Sequence, residues 1–270
     1  MLDHDNLDAF SDPEKYDTHE NDAGVAFYTA LAQETGGPVL ELACGTGRVG
    51  IPIARLGIAV TGLDIVPGML EQARRKSRGL PVRWIEGDAR AFNLGERFGL
   101  IFLTGNAFQW FLTLADQEAL LQSVRAHLHD AGVFAFETRN PLWATPQTRA
   151  DREAILERAR RRGDWFVLRE SRDDQELQVD ANGRDVHVSR TIAYDHVAQL
   201  LHVVHSRRWR EGNEEQTKTT RMALRYTFPQ ELAALLHYNG FTIVGQYGDW
   251  NREPLTDEST SIIIVCRKRA

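Results

Sequence analysis

Long apolar runs are missing from this chain, and none approaches the ~18–20 residues that a membrane-spanning helix needs. The stretch from Met1 to Ser11 is acidic and holds no apolar signal region, which points away from secretion and towards the cytoplasm. Cysteine is scarce: Cys44 and Cys266 are the only two, too few for a disulfide framework and suited to a reducing compartment. A basic excess is also missing. Net charge is −6, whereas a nucleic-acid surface shows surplus positive charge. Lysine is rare, four against 28 arginines, but the arginines are interleaved with acids and read as coding bias. Even the dense cluster Arg158–Arg162 shares its expected helix with Glu153 and Glu157, as a solvated face does. The histidines lack ligand spacing: His127/His129 and His202/His205 read as surface or strand-face residues, so no metal is expected. His19 and His205 are outlying candidates for a base.

What is present is a core. Of 270 residues 42% are apolar, enough for one large domain or a domain with an insertion. The run Val39-Leu40-Glu41-Leu42-Ala43-Cys44-Gly45-Thr46-Gly47-Arg48 carries apolar residues and one acid straight into Gly-x-Gly. It reads as a buried strand ending in a turn so tight that backbone can touch a ligand, because Gly45 and Gly47 can take positive φ. A helix follows, with Pro52 near its first turn. Open α/β sheets bind ligands at this place, the carboxyl end of a strand.

Gly45 to Gly50 also matches the Gly-x-Gly-x-x-Gly dinucleotide fingerprint. Two acids pull away from that reading. Glu41, inside the strand, would repel a pyrophosphate and attract a cation. Asp88 closes a third strand, Val82–Asp88, which a dinucleotide fold does not require. Asp64 closes the second, Ile58–Asp64. Acids at three successive strands suit a ligand rich in donors. S-adenosylmethionine presents an amine, a ribose diol and an exocyclic amine, and a charge-assisted hydrogen bond is worth roughly 1.5–3 kcal/mol.

On these residues the chain resembles the class I S-adenosylmethionine-dependent methyltransferases. The matching blocks are Leu40–Gly47, Gly62–Met69, Glu86–Arg90 and Phe98–Asn106, in order through the first half. The resemblance implies S-adenosylmethionine as cofactor. Its methionine end would be held by Glu41 and the backbone from Ala43 through Gly45 to Gly47. Asp64 would take the ribose, Ile65 and Met69 would lie against the adenine, and Asp88 and Ala89 would read its edge. Thr104 to Asn106 would border the sulfonium and the acceptor. In related small-molecule enzymes an N-terminal Tyr-Asp segment folds over the cofactor, which makes Tyr16 a candidate here. Cys44 reads as a small residue that fits the turn.

The organisation is α/β, a doubly wound seven-stranded Rossmann-like sheet with an inserted antiparallel β region. Residues 1–22 read as an N-terminal arm. Residues 23–139 and 229–270 form the cofactor-binding domain, and 140–228 the insertion, expected to form part of the acceptor site. Within the first part, helices are expected at Asp22–Glu34, Gly68–Lys76 and Asp116–His129, and strands at Phe98–Leu103 and Val133–Glu137, with a turn at Asp130–Gly132. The insertion opens with a helix at 151–161. Alternating strands follow at Trp165–Arg172, Arg184–Tyr194, Leu200–Arg210 and Lys218–Phe228. Leu201, Val203, His205, Trp209, Met222, Leu224, Tyr226 and Phe228 share one face, and Arg208, Arg210, Arg221 and Arg225 the other. The parallel pattern resumes with a helix at Gln230–Asn239 and strands at Phe241–Tyr247 and Ser261–Arg267. An insertion at this position resembles that of the aminosugar N,N-dimethyltransferases.

The fourth strand leads into Thr104-Gly105-Asn106-Ala107-Phe108-Gln109-Trp110-Phe111. This is not the Asn/Asp-Pro-Pro-Tyr/Phe motif of methyltransferases acting on nucleobase amines, which with the acidic balance argues against nucleic acid. Asn106, Gln109 and Trp110 are candidates for the acceptor site. So are Arg139, Asn140 and Trp143 after the fifth strand, with Arg139 able to bind a carboxylate or phosphate. Asp249-Trp250 and Pro254-Leu255 are candidates for the entrance. The expected partner is a small-molecule acceptor at nitrogen or oxygen, with nitrogen favoured because no base is placed. Neither nucleic acid nor membrane is expected, and the inserted sheet leaves a homodimer open. Two other readings stay open: a non-catalytic S-adenosylmethionine-binding module and a nicotinamide-dependent oxidoreductase.

Overall fold

The computed structural model describes residues 7, 10, 13–17, 24–141, 172–179, 183–195, 197–212 and 214–269. The chain divides into two compact units, residues 10–144 with 227–270, and residues 1–9 with 145–226. In chain order the elements are α1 (Pro13–Asp17), α2 (Val25–Thr35), β1 (Val39–Leu42), α3 (Gly50–Arg55), β2 (Val60–Asp64), α4 (Pro67–Lys76), β3 (Val82–Glu86) and β4 (Phe98–Leu103). A 3-10 turn (Ala107–Trp110), α5 (Leu114–His127) and β5 (Leu128–Arg139) follow. The smaller unit contributes β6 (Arg172–Val179), β7 (Asp185–Asp195), β8 (Leu200–Glu211) and β9 (Glu214–Arg225). The chain then returns through α6 (Pro229–Tyr238), β10 (Phe241–Tyr247) and β11 (Ser261–Lys268).

The larger unit is built on one seven-stranded sheet in the order β10-β11-β5-β4-β1-β2-β3. β1 to β5 run parallel, and β11 lies antiparallel to both β5 and β10. Every residue of β1 and β4 is buried, as expected of parallel strands covered on both faces. Alternation then sorts their side chains. Ile101, Leu103, Phe134, Phe136 and Ile264 pack with α5 and α6, while Leu100, Phe102, Ala135 and Ile263 pack with α2 and α3. The doubly wound reading therefore holds.

Some boundaries differ from expectation. α2 begins at Val25, and Gly36 ends it with φ +75° and an N–H bond to the Ala32 carbonyl. α5 starts at Leu114 because Thr113 caps it, accepting the Asp116 N–H at 3.0 Å. β5 starts early, at Leu128. Phe98 pairs with Leu128 but Leu100 with Val133, so the expected turn at 130–132 is an outward bulge inside the strand. Asp88 lies two residues beyond the end of β3 at Glu86 rather than closing it.

The smaller unit holds an antiparallel sheet in the order β6-β7-β8-β9. Val186, Val203 and Leu224 are buried on one face, and Arg208, Arg210 and Arg221 are exposed on the other. β9 begins at Glu214, four residues before the expected start, because Glu211 and Glu214 pair directly across the Gly212 turn. It ends at Arg225, short of Phe228. The expected helix at 151–161, Trp143 and the strand from Trp165 lie outside the described residues, except Arg172, which opens β6. No described helix is long and apolar enough to cross a membrane.

Candidate functional site

β1 ends at Leu42 and the chain turns outward. Ala43 is exposed between buried Leu42 and Cys44 and takes φ +51°, unusual for a residue with a Cβ. Gly45 and Gly47 also have positive φ, for different reasons. A Cβ on Gly45 would meet only the Tyr16 ring, 3.9 Å away, so the backbone there forms an open cradle. A Cβ on Gly47 would lie 2.7 Å from the Trp84 ring, so that glycine serves packing. Trp84 is held in place by its Nε1–H, donated to Ser77 Oγ at 2.8 Å.

Asp64 ties the end of β2 to this turn. Its Oδ2 accepts the Gly45 N–H at 2.7 Å and its Oδ1 the Val66 N–H at 2.9 Å. Burial pushes its carboxyl above the ordinary range, outweighing those N–H bonds. Ile65 beside it is half-buried and Met69 is buried. Glu41 is fully buried, its Oε2 accepting the Gly50 N–H at 2.9 Å at the start of α3.

Tyr16 lies near Gly45, where a Cβ would stand 3.9 Å from its ring, and Asp17 anchors the segment. Its carboxylate accepts from Thr46 Oγ1 at 2.6 Å, Gln72 Nε2 at 2.9 Å and Lys76 Nζ at 2.9 Å. Those hydrogen bonds overcome its burial and hold its pKa below the usual carboxylate value. Phe10 packs edge-on to Trp110, ring centroids 5.1 Å apart, and 6.2 Å from Tyr16. Asp88 is engaged with Arg90, which grips it at 2.7 Å and reaches Asp116 at 2.7 Å. Burial raises the Asp88 pKa, but Arg90 brings it below the usual range. Ala89 beside it is buried.

At the end of β4, Thr104 accepts from Arg48 Nη2 at 3.3 Å. Gly105 and Asn106 both adopt left-handed conformations, φ +66° and +59°. Gln109 is fully buried, and its Oε1 accepts from Arg139 Nη1 at 3.2 Å. An arginine can only donate, so Gln109 turns its Nε2 elsewhere. That nitrogen and Asn106 Oδ1 are buried and find no hydrogen-bond partner among the described residues. Phe108 stacks on Phe136 in the core, centroids 4.4 Å apart. Asn140 is buried with its Nδ2 on the Ser259 carbonyl at 2.9 Å, which ties the end of β5 to the segment before β11. Trp250 packs against Phe27 and Tyr28. Cys44 is buried, with its thiol pushed well up by burial, as befits a filler of the turn. Among the described residues no cluster of His, Cys, Asp or Glu could hold a metal. His19 lies outside them.

Three residues went unread in the sequence. Glu137, fully buried on β5, accepts the Tyr28 hydroxyl on Oε2 and the Asn106 N–H on Oε1 at 3.2 Å. Tyr28 comes from α2, 109 positions away. Arg48 crosses from the glycine turn to β4. The only signal available was that Glu137 and Tyr28 are polar groups inside otherwise apolar periodic segments.

Burial lifts Glu41 to about 8 and Glu137 to about 7, each partly offset by hydrogen bonds and by Arg48. In the unfolded chain both ionise near pH 4.3. Between those limits the folded state binds more protons than the unfolded one, so stability falls as pH rises. Asp64 acts in the same direction. His205, held low by burial and by Arg190 and Arg207, opposes it up to about pH 6.5. Denaturant unfolding should therefore give lower stability at pH 8 than at pH 5.5, by up to about 1.4 kcal/mol per pH unit for each net proton. Glu137→Gln should flatten the slope, and a slope equal to that of the unmodified chain would refute this account.

Residues 39–132 match the family described as "Methyltransferase domain". A malonyl-[acyl-carrier protein] O-methyltransferase from Anoxybacillus flavithermus is 31% identical over 106 residues, 37% of this chain and 38% of that protein. The dTDP-3-amino-3,6-dideoxy-alpha-D-glucopyranose N,N-dimethyltransferase of Streptomyces fradiae is 29% identical over 127 residues, 47% of this chain and 48% of that protein. The matches thus span less than half the length of these curated relatives. The CcbJ methyltransferase from Streptomyces caelestis has the same fold, with TM-score 0.75, 22% identity and coverage of 98% of this chain and 97% of that one. The glycine turn, the buried Asp64 and the reversed β11 thus accompany a match to a methyltransferase domain over residues 39–132, in a chain that shares the fold of CcbJ.

Proposed function

We propose that this protein is an enzyme that moves a methyl group from S-adenosylmethionine to a nitrogen or oxygen of a small molecule. The observation that carries the reading is Asp64, buried and spanning from the Gly45 amide to the end of β2. The site suits the cofactor: an open cradle at Gly45, exposed backbone at Ala43, and acids for a ligand rich in donors. The reversed β11 argues against a dinucleotide fold, whose sheet order 3-2-1-4-5-6 is parallel throughout.

The cofactor, when bound, supplies an electrophilic methyl group; the protein supplies alignment and exclusion of water. Each Asp64 oxygen that takes a backbone N–H keeps a second lone pair for a ribose hydroxyl. Ile65 and Met69 offer apolar surface to the adenine, and Asp88 and Ala89 border its edge. The Tyr16 segment, latched through Asp17, covers the cradle. Asn106 Oδ1 can accept from an acceptor amine or hydroxyl, and Gln109 Nε2 can donate to a polar group beside it. Arg139, exposed and bonded to Gln109, sets that side chain's orientation. Nitrogen is the favoured acceptor. A neutral amine attacks without a base, and Glu137, beside Asn106, is engaged by the Tyr28 hydroxyl and the Asn106 N–H.

Calorimetric titration with S-adenosylmethionine and S-adenosylhomocysteine, with NADH as control, tests this. Micromolar binding of both sulfur ligands and none of NADH is expected. Folded protein that gives no heat with either sulfur ligand would overturn the proposal. Tight binding without turnover of any amine, hydroxyl or carboxylate acceptor would favour a non-catalytic module.

A further inference from the structure

The glycine turn, Asp64 and Asn106 all stand at the carboxyl edge of the larger sheet. At the opposite edge, where β4 and β5 begin and β11 ends, lies a groove of about 840 Å³. The six residues of β4 separate the two edges by about 20 Å of strand. Arg97, Arg125, Lys268 and Arg269 line the groove, and Asp130 is the acid among its lining residues. Such a cluster stands out in a chain of net charge −6.

Part of that charge has a structural use. α5 and α6 end beside the groove, and each helix end carries about half a negative charge. Asp130 adds one more, 3.7 Å from Arg97 and 3.5 Å from Lys268. Its side chain is 92% exposed, so water screens both contacts. Glu96, next to Arg97 in the chain, is taken by Arg83. About two positive charges are left unbalanced. Arg125 lies along Gly240, where a Cβ would stand 2.7 Å from its Nε, and it forms no hydrogen bond or ion pair with any described residue. The Arg269 guanidinium rests on His237, with Nη1 2.9 Å from Nε2. Beside them, at the end of α6, the Tyr238 ring is 82% exposed.

Independently of the cofactor reading, we propose that this groove binds a nucleoside polyphosphate, with the arginines on the phosphates and Tyr238 against the base. Guanidinium forks engage phosphate oxygens two at a time, which suits a groove lined by three arginines. An exposed tyrosine offers a flat face on which any base can stack. A concave volume of this size accommodates a small ligand. Because the groove lies at the edge away from the glycine turn, it can be filled while that turn is occupied.

Calorimetric titration with tripolyphosphate and with GTP tests the proposal. The proteins are the unmodified chain, Arg125→Glu, Tyr238→Ala, and Arg210→Glu as an equal charge change on the exposed face of β8. Both probes should bind the unmodified chain. Arg125→Glu should weaken both by about 10- to 100-fold, the worth of a charge-assisted hydrogen bond. Tyr238→Ala should weaken GTP by about 5- to 100-fold and leave tripolyphosphate unchanged. Arg210→Glu should change neither. No binding to the unmodified chain, equal weakening by Arg125→Glu and Arg210→Glu, or displacement of GTP by S-adenosylhomocysteine would overturn the proposal. So would GTP affinity undiminished in Tyr238→Ala, since the groove would then take phosphate alone. If Arg125→Glu does not fold, Arg125→Gln decides by the same comparison: unchanged affinity for both probes overturns the proposal, and weakening of both supports it.

Discussion

Replacing Asp64 by alanine is expected to abolish measurable binding of S-adenosylhomocysteine and to destabilise the fold. Two costs arise together. The N–H groups of Gly45 and Val66 lose their acceptor in a buried setting, at about 1–3 kcal/mol each. The proposed ribose contacts are charge-assisted, and losing them should weaken binding by more than about 100-fold. Asp64→Asn separates the two effects. Its amide oxygen can still serve one backbone N–H, so the midpoint of thermal unfolding should recover in part while affinity stays low. Affinity undiminished in either variant would remove Asp64 from the cofactor site and leave it a purely structural link.

The second large effect is expected at Gly62, which touches no ligand. Gly62 pairs with Trp84 across β2 and β3, and a Cβ there would fall inside the indole's van der Waals envelope and 2.9 Å from Cys44 Sγ. The indole has little room to yield, since Ser77 holds its Nε1. Overpacking of this kind costs about 1–3 kcal/mol, sometimes more. Gly62→Ala should therefore lower the unfolding temperature by roughly 2–12 °C in a chain of this size. Trp84→Leu alone leaves a cavity, but combined with Gly62→Ala it frees the space the methyl needs. The double variant should be more stable than the sum of the single effects implies, and strict additivity would show that the two side chains do not compete.

These two sites mark how much of the molecule was legible in its sequence. The Gly45–Gly47 turn and Asp64 were readable because their meaning is local: a strand ends, and an acid or a glycine follows. The parallel sheet was readable because β4 is a continuous apolar run and β1 is apolar but for Glu41. Gly62 was also visible as a residue, yet its purpose depends on register, since only pairing with β3 places Trp84 above it. Glu137 and Tyr28 were illegible for the same reason on a larger scale, as their bond joins α2 to β5. Asp17 was overshadowed by its aromatic neighbour Tyr16, because the partners that give it a role, Gln72 and Lys76, are brought near only by α4. Asn140 depends on distance in the same way, because its Ser259 partner lies 119 positions along the chain.

The reversed strand β11 also governs when this molecule can become itself. It is the last strand in the sequence, yet it fills an interior place between β5 and β10. Ile262, Ile263 and Ile264 then supply fully buried side chains to both faces of the sheet. A nascent chain paused after β10 therefore has two unsatisfied strand edges and an open hydrophobic slot, the kind of surface that invites aggregation. Completion of the sheet waits for Ser261–Lys268, so the larger unit cannot close strand by strand in the order β1 to β10.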